Sequence, residues 1–87
     1  MDAEKVAKLL DASKAIVVGN KLSTYKISEE LAVEILRLIK LMTPENCLGY
    51  AIVNGESVVF RRGAETILAF VDCDRTVGTM RRLSENV

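Results

Sequence analysis

Histidine is missing from the 87-residue chain. Its absence excludes a histidine-dependent nucleophilic triad, an imidazole base poised near neutral pH and any zinc site that needs a histidine ligand. Net charge is missing too: twelve lysines and arginines face twelve aspartates and glutamates. No global field is left to hold a polyphosphate or an anionic membrane, so nucleic acid is not an expected partner. One proline and five glycines are too few for a low-complexity spacer, and 49% hydrophobic against 28% charged residues marks a folding chain rather than a disordered tail. Two cysteines, Cys47 and Cys73, make no disulfide framework and cannot close a metal site without further ligands, so both are expected as small buried residues in strands and no metal is expected. No long apolar run occurs, and the mixed charges at the start resemble neither a secretory leader nor a membrane span. The expectation is a soluble, cytoplasmic protein with no membrane span. Gly49 and Gly63 belong to no phosphate-binding fingerprint, so no nucleotide or other cofactor is expected.

What is present reads as a single domain over residues 1–87. Such a chain buries only about 60–65% of its unfolded surface, which makes support from a partner chain plausible. Met1 to Ser13 places Ala3, Val6, Ala7 and Leu10 on one helical face, with Asp2 as cap and Glu4 and Lys8 as an outer pair. Lys14 to Val18 is a β-branched strand ended by Gly19-Asn20, a dipeptide suited to positive φ, and Leu22 to Ile27 is a peripheral returning strand. Ser28 caps a long helix that reaches about Met42, where Thr43-Pro44 stops it. Cys47 to Val53 and Ser57 to Arg61 form a hairpin across Asn54-Gly55. Thr66 to Asp72 is apolar on both pleat faces, Ile67, Ala69 and Val71 against Leu68 and Phe70, which calls for helices on both sides of the sheet. Asp74 or Thr76 caps a last helix with Val77, Met80 and Leu83 as its apolar positions. The order is α-β-β-α-β-β-β-α.

The long helix carries the main functional signal. At about 100° per residue, Leu38, Leu31, Met42, Ile35, Ile39, Ala32 and Leu36 fill a continuous arc of roughly 160°, with Val33 and Leu41 beyond it. A helix resting on one sheet needs an arc somewhat over ~100°. The first and last helices are needed on the other face of the sheet, so the surplus calls for a second molecule. Burying each of Leu31, Ile35, Leu38 and Met42 contributes about 1.5–3 kcal/mol, and a twofold axis uses every such residue twice. A symmetric homodimer is the expected state.

The element order, the helix opening Ser28-Glu-Glu-Leu-Ala, the Asn-Gly hairpin and the closing strand Thr66-Ile-Leu-Ala-Phe-Val-Asp72, followed by Val77-Gly-x-Met80-Arg-x-x-Leu83, resemble the roadblock/dynein light chain family. The likeness spans essentially the whole chain. It implies an α+β fold of profilin/longin-like type: a five-stranded antiparallel sheet with the long helix on one face and the terminal helices on the other. It also implies a dimer built from the long helix and the neighbouring edge strand. The expected interface is Leu31, Ile35, Leu38 and Met42 with Cys47, Gly49 and Ala51. Members of that family serve as non-enzymatic regulators or scaffolds for motor complexes or Ras-like small GTPases, so the resemblance implies a Ras-like small GTPase or a larger complex as partner, and no catalytic residues are expected. The alternative is a small-ligand sensor on a profilin-like or PAS-like sheet, with a cavity between sheet and long helix. The remaining polar residues fit structural roles. Arg61-Arg62 and Arg81-Arg82 read as solvated charge rather than a nucleic-acid patch or an arginine finger, Asp72 and Asp74 as helix caps, and Tyr25 and Tyr50 as edge aromatics.

Overall fold

The computed structural model describes residues 2–86; Met1 and Val87, the outer bounds of the expected opening helix and domain, lie outside them. Helix α1 (Ala3–Leu10) starts where Asp2, in extended conformation, accepts the Lys5 N–H through its carboxylate at 2.8 Å. All four of its expected apolar positions are buried. It ends at Asp11, whose φ of 53° is left-handed. Strands β1 (Lys14–Val18) and β2 (Leu22–Tyr25) pair antiparallel, Val18 opposite Leu22. Their turn differs from expectation: neither Gly19 nor Asn20 has positive φ, and the Gly19 N–H closes a three-residue loop onto the Lys21 carbonyl. The left-handed residue here is Lys26 at φ 59°, which ends β2 at Tyr25 rather than Ile27 because a strand has no room for that conformation.

Helix α2 (Glu29–Met42) opens with Ser28 Oγ accepting the Leu31 N–H and closes at Thr43, held extended by the following proline. Strands β3 (Cys47–Val53) and β4 (Glu56–Arg62) meet across Asn54 and Gly55, at φ 51° and 81°. That pair of positive angles is what a two-residue hairpin of the right twist demands. Strand β5 (Thr66–Val71) is buried throughout.

The expected caps of the last helix are corrected. Asp72 precedes a short 3₁₀ turn (Cys73–Arg75), and α3 (Thr76–Asn86) continues directly from it. Cys73, expected buried in a strand, lies in that turn and is exposed. The buried stripe of α3 is Thr76, Thr79 and Leu83, with Met80 packed beside it, while Val77 is 71% exposed. The true face runs i, i+3, i+7, one residue behind the expected start.

The strands form one antiparallel sheet in the order β2-β1-β5-β4-β3. One face holds α1 and α3 against Ala15, Val17, Val59, Ile67, Ala69 and Val71; the other holds α2 against Ile16, Val58, Phe60, Leu68 and Phe70. This is the expected α+β, helix–sheet–helix architecture, and it follows from β5 being apolar on both faces. Arg75 clamps the first layer, its guanidinium donating to the carbonyls of Leu10 and Asp11 at 2.9 and 2.7 Å. Those are the unpaired carbonyls at the end of α1. No helix among the described residues is long and apolar enough to cross a membrane.

Candidate interaction surface

Helix α2 buries four side chains against the sheet: Ala32, Ile35, Leu36 and Ile39. Their positions span about 100° of the helix circumference, which is what one sheet face can cover. The other apolar residues stay in solvent: Leu31, Val33, Leu38, Leu41 and Met42 are 42–77% exposed. Ile35 is therefore a correction to the expected interface. It is 7% exposed and belongs to its own protomer's core, packed with Ile16, Val58 and Phe60. Leu31, Leu38 and Met42 lie together along one flank of the buried stripe. Val33 and Leu41, with Arg37 and Lys40, lie on the opposite flank, facing Val18 and Leu22 of the first hairpin.

The Leu31 flank is turned away from the first hairpin, towards the side of the sheet that ends in β3. Cys47, Gly49 and Ala51 are half-buried, on the pleat face that looks towards α2. Gly49 sits opposite Phe60, and a Cβ built on it would come within 3.0 Å of the ring tip. The missing side chain leaves room for the tip of the Phe60 ring against the strand. The alternate residues Leu48, Tyr50 and Ile52 point to the other face and are 39–57% exposed. They are the part of this surface that the sequence reading missed. Their signal was present: the Asn54-Gly55 turn pairs Gly49 with Phe60, and period-two alternation then sends the even-numbered residues away from α2.

The outer edge of β3 pairs with no strand among the described residues. Its seven residues, Cys-Leu-Gly-Tyr-Ala-Ile-Val, contain no charge and no proline, the devices that normally blunt an open edge. The opposite edge is different: β2 has four residues and is bracketed by Lys21 and Lys26. One edge of this sheet is guarded and the other is open.

Arg61 and Arg62 tie neighbouring elements together. Arg61 donates to the Leu83 carbonyl at 2.9 Å, holding α3 on β4. Arg62 donates to the carbonyls of Thr43 and Pro44 at 2.8 and 2.9 Å and to the Thr43 hydroxyl, fastening the end of α2. Arg81 and Arg82 are exposed on α3. Glu56 accepts from the Lys14 ammonium at 2.9 Å, and this bond holds its carboxyl below the ordinary value of 4.5; the same ammonium stands over the Phe70 ring. Among the described residues no three histidine, cysteine, aspartate or glutamate side chains gather in a way that could hold a metal ion.

No family model matches the chain. An uncharacterized protein from Archaeoglobus fulgidus is 34% identical over 87 residues, an alignment covering 98% of this chain and 95% of the archaeal one. Likeness of that depth along nearly the full length of both chains places this protein in the same family as that archaeal protein.

Proposed function

We propose that the chain is a non-catalytic, homodimeric scaffold of the roadblock kind, whose composite surface docks a Ras-like small GTPase or a larger assembly. The observation that carries the pairing is the charge-free, seven-residue open edge of β3 beside the exposed Leu31, Leu38 and Met42. A second copy brought in by a twofold axis satisfies both needs together. Strand β3 gains backbone partners, and the exposed flank of α2 meets its own equivalent. The half-exposed Leu48, Tyr50 and Ile52 of the two copies then adjoin across the seam, making an apolar platform with one aromatic per copy. Such a platform is the kind of surface on which a protein partner finds its anchoring contacts. The fold and element order support the roadblock assignment, and the GTPase partner rests on that resemblance.

Static light scattering on the full chain tests the pairing. The wild type returns twice the chain mass, and Leu38→Glu, which sets a carboxylate at the seam, returns a single chain with its fold retained. A wild type that runs as a monomer at every concentration overturns the proposal. Capture by purified GTPases loaded with GDP or with a non-hydrolysable GTP analogue, compared between wild type and Tyr50→Ala, tests the platform. Retained capture by the variant removes it.

A further inference from the structure

The other flank of α2 is lined differently. Between the β1–β2 hairpin and the helix lies a recess of about 450 Å³ walled by Val18, Leu22, Leu36 and Leu41, with Arg37 and Lys40 at its mouth. A polar hollow of about 490 Å³ shares Val18 and Lys40 with it and adds Asn46, Arg62 and Glu45. Lys40 therefore stands where an apolar trough opens into a polar bay.

Across both spaces Lys40 and Arg62 face the Glu45 carboxylate, while Arg37 stands beside Glu30 and Glu34. Lys8 pairs with Glu4, Lys14 with Glu56 and Arg75 with Asp11, and none of these pairs involves Arg37 or Lys40. Arg62 is immobilised by the Thr43 and Pro44 oxygens, and its Nε–H is buried without an acceptor. Its charge is fixed in place and only partly compensated. The complement of such a site has an apolar body and a negative end.

From this juxtaposition we infer that the flank of α2 facing the first hairpin binds a free single-chain amphiphile, its hydrocarbon tail between Leu22 and Leu41 and its carboxylate or phosphate head on Lys40. The volume is that of a small-molecule site, mostly apolar with a few placed polar groups. A protein partner would need about 800 Å² of contact on each side, and the extended exposed apolar surface that could supply it lies on the β3 side. Arg37 shares its stretch of helix with Glu30 and Glu34, which leaves Lys40 as the head-group contact. The site does not depend on dimerisation, because its lining residues come from one copy and from the opposite flank of the helix.

The probe is sodium decanoate, kept below its micelle concentration and titrated into the ¹⁵N-labelled full chain. The expected result is saturable amide shifts at Val18, Leu22, Leu36 and Leu41. Lys40→Glu weakens the apparent affinity about tenfold or more, as loss of a charge-assisted contact requires, while Lys40→Arg preserves it. Should the reversed charge disturb the fold, seen directly in the same spectra, Lys40→Gln gives the same reading with a smaller loss. Decyltrimethylammonium, with the same tail and opposite head, gives no saturable shifts, and inorganic phosphate alone gives none in the recess. The monomeric Leu38→Glu chain still binds decanoate, so failure of the dimer and failure of this site are separate results. Absence of saturation, equal binding of the cationic amphiphile, indifference to Lys40→Glu, shifts centred on Tyr50, or binding to anionic phospholipid vesicles without binding of monomeric decanoate each overturns the inference.

Discussion

Single residues show how local and distant signals differ in legibility. Asp2 and Ser28 were readable as caps because a cap and its target lie three positions apart, and both bonds form as the sequence implies. Ser57 and Thr76 were not, since nineteen positions separate them, yet their hydroxyls lie 2.7 Å apart in a buried contact between β4 and the start of α3. Thr76 Oγ1 is also 2.8 Å from the Cys73 carbonyl. With one proton per hydroxyl, the chain runs from Ser57 to Thr76 to Cys73. Thr76→Val keeps the shape but strands the Ser57 hydroxyl, and is expected to cost about 1–3 kcal/mol. Ser57→Ala removes the donor without orphaning Thr76 and should cost less; urea unfolding of both variants and the double mutant reads the coupling. The Glu56–Lys14 pair gives the residue-scale pH prediction. A carboxyl lowered on folding stabilises above its unfolded value and loses that contribution as pH falls through the folded one. Wild type should therefore exceed Glu56→Gln in stability at neutral pH, by less than about 1 kcal/mol because both partners are roughly a third exposed. Unfolding at stepped pH should show the gap closing below 4.5.

At the scale of elements, legibility followed the range of the determining signal. The bounds of α2, the β3–β4 turn and the two-faced burial of β5 were readable because capping, X-Pro restriction, Asn-Gly geometry and alternation act within a few residues. The face of α3 was misread because Val77 looked like the start of its apolar stripe. The buried positions are instead Thr76 and Thr79, and for Thr76 it is the hydroxyl bond to Ser57 that makes burial tolerable. The end of α2 depends on Arg62 from another element. Four carbonyls at a helix terminus lack intrahelical partners, and one guanidinium reaches Thr43 and Pro44 where the chain leaves the helix. Arg62→Met should cost about 1.5–3 kcal/mol, the range for hydrogen bonds to a charged donor. Hydrogen exchange should show protection lost first in the last turn of α2, around Ile39 to Met42, while β5 amides respond only to the global loss.

For the whole molecule, the surplus of apolar girth on α2 was legible as an amount but not as a location. Angular spacing ranks positions around a helix, yet only packing decides where the sheet's shadow ends. Ile35 stands at that boundary and went inward, while Leu31, Leu38 and Met42 stayed out. The two flanks of α2 consequently differ: one is apolar and adjoins an open strand edge, and the other is apolar with a basic rim and adjoins a guarded edge. If only the first flank joins two copies, stability must carry a concentration term, since folding of a dimer is linked to association. Each tenfold rise in protein concentration should then add about 1.4 kcal/mol per mole of dimer and raise the thermal midpoint. Leu38→Glu should abolish that dependence. Leu41→Glu, which places the same charge at an even more exposed leucine on the other flank, should leave it intact. Melting curves over a hundredfold range of concentration distinguish the cases. Equal effects of the two substitutions would mean that the flank of α2 nearest β3 is not where the copies meet, and a midpoint independent of concentration in the wild type would mean that they do not meet.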